Sequence, residues 1–282
     1  MPLPAVRDIR TLMTGILMGE CPRWHDGRLW FADWVGETIY ALDEAGCSEK
    51  IAHVASLPIS IDWLPDGPML VVNAAARQLW RREPDESFAV HAELSALSPY
   101  PFNEIVVGAN GDVYLNNIDH EFGSEFRPGF IALLKPDGRL VKAADGLAFP
   151  NGMAITPDGR TLICAESYSE QLTAFDIAPD GSLANRRVWA SLDGHPDGIC
   201  MDAEGAIWSS LGSRCVRVRE GGEVMDEVAI DRMAFACMLG GTDGNTLFIT
   251  ANEWTGGVAA PDSAATGRIY ATRVAVPRAG RP

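Results

Sequence analysis

The chain has 282 residues, with 38 Asp+Glu against 23 Lys+Arg and a formal net charge of −15. That balance, with no Lys/Arg-rich run, excludes a nucleic-acid binder that works by neutralising phosphates, and it gives no attraction to an anionic membrane surface. A hydrophobic share of 47% is that of an ordinary globular protein, while Gly 28 and Pro 18 are too many for a helical one. The opening stretch, MPLPAVRDIRTLMTGILMGECP, follows Arg7 and Arg10 with only a short apolar run and is not read as a signal peptide. No apolar run reaches the length that spans a bilayer. The six cysteines (Cys21, Cys47, Cys164, Cys200, Cys215, Cys237) lack C-x-x-C or zinc-ribbon spacing and read as buried small apolar residues. A cytoplasmic protein is expected.

One turn then recurs along the chain. An Asp/Asn-Gly or near relative precedes a short apolar and aromatic run at Gly27 (RLWFAD), Gly67 (PMLVVN), Gly111 (DVYLNN), Gly159 (RTLICAE), Gly205 (AIWSSL) and Gly244 (NTLFIT), with spacings of 39 to 48 residues. Apolar runs such as IDW, EIVV, GMAI and GICM lie just before these turns, which is the signature of a hairpin whose glycine takes positive φ. A third run follows in the units, as in ETIYALD, RQLWRRE, GFIALLK, EQLTAFD and GRIYATR. Six such units predict an all-β fold, a six-bladed β-propeller occupying residues 1–282 as a single domain. Residues 5–16 precede the first unit and are expected to supply the outermost strand of the last blade, closing the ring.

The register assigns residues to the axis. In a propeller the innermost strand of each blade lines the central channel, with its first residues at one mouth. Stepping back seven or eight positions from each turn glycine gives Glu20, Ser60, Asn103, Asn151, Asp197 and Ala236 or Cys237. Four oxygen donors, Glu20, Asn103, Asn151 and Asp197, thus take equivalent places in a ring. Two carboxylates converging with no Lys or Arg among them repel unless a cation intervenes. All-oxygen ligation suits Ca²⁺ or Mg²⁺ and also accepts Mn²⁺, Fe²⁺ or Zn²⁺, with open positions left for water or substrate. The simpler alternative is that these side chains cap strand starts and bind ordered water.

GECPRW at 19–24, FNEIVV at 102–107, FPNGMAITPDGRTL at 149–162 and PDGICMDAEGAIW at 196–208 together resemble the SMP-30/gluconolactonase (regucalcin-like) family, in order and spacing over nearly the whole chain. The resemblance implies a six-bladed propeller with one divalent metal ion (Ca²⁺, Zn²⁺, Mn²⁺ or Fe²⁺) in its channel, and hydrolysis of sugar lactones to aldonic acids. On matching positions the metal ligands are Glu20, Asn151 and Asp197, with Asn103 matching a second asparagine that binds metal or substrate. Asp197 is expected to act as the base, taking a proton from the attacking water. One departure stands out: some members carry an Arg two residues before that second Asn, where it contacts sugar hydroxyls, and here the position is Pro101. Other esters or organophosphates are the alternative substrates, and a non-catalytic metal-binding scaffold is the rival class.

No G-x-S-x-G elbow, H-E-x-x-H, P-loop or G-x-G-x-x-G motif competes. His195 lies two residues before Asp197 and is read as a rim histidine. Glu166 reads as a blade-edge residue, and Asp33, Asp43 and Asp176 as blade-to-blade hydrogen-bonding groups. Trp34, Tyr100 and Phe102 are candidates for the rim or for blade packing. The expected partner is a small-molecule lactone, and a monomer is expected because propellers have little need to oligomerise.

Overall fold

A computed structural model describes residues 7–254, 256 and 264–281. It contains six four-stranded antiparallel sheets. Blade one is Gly19–His25, Arg28–Asp33, Thr38–Leu42 and Ser48–His53, from the innermost strand outward. Blade two is Ile59–Trp63, Met69–Asn73, Gln78–Arg82 and Phe88–Glu93; blade three is Phe102–Val107, Val113–Asn117, Gly129–Leu134 and Leu140–Leu147. Blade four is Pro150–Ile155, Thr161–Glu166, Gln171–Ile177 and Leu183–Ser191; blade five is Pro196–Met201, Ile207–Leu211, Arg214–Val218 and Val224–Ala229. Blade six takes Met233–Gly240, Thr246–Asn252 and Gly267–Arg273 from one end of the sequence and Ile9–Ile16 from the other. Each innermost strand contacts those of both neighbouring blades, so the six close a ring. The fold is a six-bladed β-propeller. No helix among the described residues is long and apolar enough to cross a membrane.

The recurrent turns explain why these residues form blades. Gly27, Gly67, Gly111, Gly159, Gly205 and Gly244 all have positive φ, between 70° and 114°, where a side chain would be strained. Middle strands are apolar on both faces because each blade packs between two others. Val113 and Leu115 join Leu70 and Phe102 on the blade-two side. Tyr114 turns the other way and joins Met153 and Phe175 of blade four. Alternation at period two therefore feeds two separate cores, and continuous apolar runs follow.

The ring is closed as the sequence predicts. Ile9–Ile16 runs antiparallel to Gly267–Arg273, from Ile9 opposite Thr272 to Ile16 opposite Gly267. Residues 5 and 6 of the expected strand lie outside the described residues. A second tie was not foreseen. Residues 274–281 cross the hairpin-turn face, where Pro277 O accepts from Ala203 N, Ala279 N donates to Met201 O, and Arg281 exchanges two backbone hydrogen bonds with Ile155. This segment links blades six, five and four.

Two glycines in the axial motifs have a packing role. A Cβ on Gly152 would lie 2.6 Å from Asp197 O and Ile199 N, and one on Gly198 would overlap Ala236 Cβ. The inner strands of blades four, five and six thus approach backbone to backbone. Gly198→Ala is expected to cost about 1–3 kcal/mol, the range for overpacking a tight site. A urea midpoint unchanged from wild type would contradict so close an approach.

Candidate active site

The starts of the inner strands are irregular, and the irregularity aims the side chains. Antiparallel register shifts fall between Phe102 and Ile105, between Pro150 and Met153, and between Pro196 and Ile199. Asn103, Asn151 and Asp197 each sit inside one of these bulges, where the strand bends and re-aims a residue. Glu20 opens the corresponding shift in blade one, between Glu20 and Arg23. Blade two has regular pairing there, and its Ser60 is fully buried. Blade six presents Ala236, followed by buried Cys237.

Glu20 is buried at 3% exposure, whereas Asn103, Asn151 and Asp197 are partly open. Loss of water around Asp197, reinforced by the charge of Glu104 and partly offset by a hydrogen bond from the Asn151 side chain, raises its carboxyl from 3.8 to about 8. Burial, then the charges of Asp197 and Glu104, hold Glu20 well above the usual carboxylate range; the Cys21 N–H and Arg23 oppose this. Asp197 thus acts on Glu20 by its charge and on Asn151 by a hydrogen bond, although more than a hundred residues separate Glu20 from the other two. Asn103 stands at the equivalent place on blade three.

Below them lies a pair that the sequence reading missed. Arg23 and Glu104 are both buried, with Arg23 Nη2 3.2 Å from Glu104 Oε2. Arg23 also donates to Ile105 O at 2.7 Å and to Pro22 O at 2.9 Å. Both residues line a cavity of about 10 Å³ that also touches Gly152, Gly198 and Ala236, so five blades meet at this point. Polar groups on the second strands and just beyond them fix the inner strands from behind. Asn116 Nδ2 donates to Asn151 O at 2.5 Å, and its Oδ1 accepts from Glu104 N at 3.1 Å. Ser167 Oγ donates to Pro196 O, and Ser210 Oγ donates to Phe235 O. The only advance sign of Glu104 was its place beside Asn103.

The remaining candidates sort by their contacts. His195 has a largely exposed ring, with Nδ1 2.8 Å from Ser167 O, and stays at the rim. Glu166 is buried and receives hydrogen bonds from Ala148 N, Thr173, Gln171 and Arg186, which hold its carboxyl below the ordinary value despite burial. That makes it a structural anchor within blade four. The blade-to-blade reading fails for Asp43 and Asp176, whereas Asp33 ties blade one to the connector that leaves the outer strand of blade six. Asp33 accepts from Leu17 N, Met18 N and Gly36 N; Asp43 caps its own turn at Ala45 and Cys47; Asp176 pairs with Asn185 and Arg187 of the same blade. Short polar side chains next to turns satisfy the nearest orphan N–H groups first. Phe102 is fully buried against Phe130, and Trp34 Nε1 donates to Ile59 O, so both serve packing. Instead, the aromatic residues beside Asn151 are Phe149 and Tyr168, stacked at 4.6 Å, with half-exposed Phe122 and Phe126 next to them.

The donor set fits a hard divalent cation. Two carboxyl groups lie within range of each other's charge in a poorly solvated place, and the nearby guanidinium of Arg23 is hydrogen-bonded to a different carboxylate. Among the described residues no three His, Cys, Asp or Glu side chains form a ligand group; the third member of this trio is a carboxamide. A sequence model described as the SMP-30/Gluconolactonase/LRE-like region matches residues 18–253. The chain belongs to this family. Regucalcin of Xenopus laevis is 29% identical over 252 residues, covering 83% of this chain and 82% of its own. Gluconolactonase of Zymomonas mobilis subsp. mobilis is 26% identical over 213 residues, covering 67% and 59%. Among solved structures, a calcium-binding protein, regucalcin, from Agrobacterium tumefaciens superposes with a TM-score of 0.82 at 20% identity, covering 98% of this chain and 97% of that one. The family membership agrees with the resemblance read from the motifs, and the structural likeness with the propeller.

Proposed function

We propose that this member of the family is a divalent-metal-dependent lactonase that opens sugar lactones to aldonic acids. The observation that carries the reading is the placement of Glu20, Asn151 and Asp197 at the bulged starts of three inner strands, with Asn151 bonded to Asp197 and the Asp197 charge acting on Glu20. Its support from relatives is the name gluconolactonase in the Zymomonas protein and the calcium-binding description of the Agrobacterium one. Glu20, Asn151 and Asp197 would hold the ion. When bound, the ion supplies Lewis-acid charge at the lactone carbonyl.

The chain's own residues do the rest. Asn103 orients the lactone by its carboxamide. Asp197 takes a proton from the attacking water as the water oxygen bonds to the carbonyl carbon. The ring C–O bond then breaks, and Asp197 returns its proton to the departing ring oxygen. The product is an open hydroxy acid, and Asp197 is again a carboxylate. A neutral lactone needs no steering by the acidic surface, and that surface repels the anion formed.

Purified protein is expected to acidify glucono- and xylono-lactone solutions faster than background, to lose this activity on chelation, and to regain it when Ca²⁺, Zn²⁺, Mn²⁺ or Fe²⁺ is restored. No turnover of any lactone, together with no metal by elemental analysis, would sink the reading in favour of a non-catalytic propeller.

A further inference from the structure

Beneath the proposed ligands, the axis carries more charge than the reaction uses. Glu104 is 5% exposed and Arg23 is 6% exposed. Arg23 spends Nη1 on Pro22 O and Nη2 on Glu104 and Ile105 O, and its Nε has no hydrogen-bond partner among the described residues. A buried guanidinium left with an idle donor is costly for packing alone, and an apolar pair of the same volume often serves stability as well or better. Cys21 adds a third contact, with its Sγ 3.7 Å from Glu104 Oε2. Deeper still, Asp62 accepts from Val107 N and Trp63 N and faces both Arg23 and Arg281.

Counting these groups in their ionised forms gives a simple pattern. Arg23 answers Glu104, which it bonds directly, and Asp62 lies deeper, held by the N–H groups of Val107 and Trp63. Glu20 and Asp197 remain, with two negative charges between them. We propose that the Arg23–Glu104 pair is a charge-setting support for the ion site, positioned so that the ligand level presents only the two carboxylates of Glu20 and Asp197 and suits a divalent rather than a trivalent cation. Neither residue is a ligand in this arrangement. Glu104 keeps Arg23 from opposing the ion, and Arg23 keeps Glu104 from joining the ligand set. The inference rests on the reading of Glu20, Asn151 and Asp197 as an ion site.

Ca²⁺ and Tb³⁺ binding to the purified full chain, measured by calorimetry and by Tb³⁺ luminescence, tests it without any assay of turnover. Glu104→Gln removes the carboxylate that Arg23 bonds directly and is expected to weaken Ca²⁺ binding at least about thirtyfold, as one unit charge acting over several ångströms at an effective protein dielectric constant near 20 requires. Arg23→Met adds net negative charge and is expected to raise the preference for Tb³⁺ over Ca²⁺ at least about tenfold. The double variant R23M/E104Q restores the original charge and is expected to bind Ca²⁺ within about threefold of wild type. Arg23→Lys keeps the charge and is expected to keep wild-type selectivity. A purely structural role predicts no change in the Tb³⁺/Ca²⁺ ratio and no rescue in the double variant, and either result in folded protein overturns the proposal. Should Glu104→Gln fail to fold, the double and lysine variants decide alone. Absence of Ca²⁺, Mn²⁺ and Zn²⁺ binding to wild type removes the ion site itself and the inference with it, whereas binding that is indifferent to Arg23 and Glu104 overturns the inference only.

Discussion

Asp197→Asn is expected to lower kcat for lactone opening by about a thousandfold or more, within the range that a positioned general base contributes. The amide keeps an oxygen for the ion and nearly the same volume, so Ca²⁺ affinity should fall less steeply than turnover. That split separates proton transfer from ligation. Asp197 is suited to the role because it is partly open at the strand start, while Glu20 is buried behind it. Asn151 bonds to the Asp197 side chain, and Ser167 Oγ anchors the preceding Pro196 carbonyl. Initial rates at saturating lactone, with metal content measured on the same sample, give the answer. Activity within tenfold of wild type in a metal-loaded variant would assign the base elsewhere.

Thermal stability of chelated protein is expected to fall as the pH rises toward 8. Glu20 and Asp197 hold protons in the folded state that an unfolded chain has already released, since burial and the facing carboxylates raise both groups. For a raised carboxyl, the stabilising contribution is complete below the unfolded value and is lost as the pH climbs through the folded one. For Asp197 the window runs from 3.8 to about 8. Melting curves with a chelator at pH 6, 7 and 8 should therefore step downward, by about 5 °C or more in total for a chain of this size. Saturating divalent ion should reverse the loss at pH 8, because a ligand present at a hundred times its Kd adds about 2.7 kcal/mol. A melting temperature indifferent to both pH and metal would mean that the two carboxylates are solvated and apart.

What could be read in advance was whatever a local signal carries. A glycine at positive φ between two apolar runs is such a signal, and six of them set the blade count and the inner-strand register. The same register drew attention to Glu20, Asn103, Asn151 and Asp197, although it contains no hint of the bulges that aim them. Pairings between blades leave no local trace. Arg23 and Glu104 are 81 positions apart and belong to non-adjacent blades; nothing in GECPRW or FNEIVV says that they meet. Asn116 and Ser210 look like ordinary polar residues on middle strands until each is seen bonding an inner-strand carbonyl. Asp43 and Asp176 depart from the expectation for the opposite reason: a recurring position suggests a shared long-range role, and each is satisfied by its own neighbourhood. Pro101 stands where some members carry an Arg, and of the stacked pair beside Asn151 Phe149 opens the motif FPNGMAITPDGRTL while Tyr168 comes from the short 3-10 turn Ser167–Ser169.

The segment 274–281 bears on traffic through the molecule. It is bonded to the far ends of the inner strands at Ile155 and Met201, and it brings Arg281 toward Asp62 on the other side of the axis. That end of the ring is crossed by chain, and the strand starts that carry Glu20, Asn151 and Asp197 lie at the other. In the proposed reaction the lactone would enter, and its opened acid leave, by the mouth where the inner strands start, so release of the acid past two like charges would belong to each turnover.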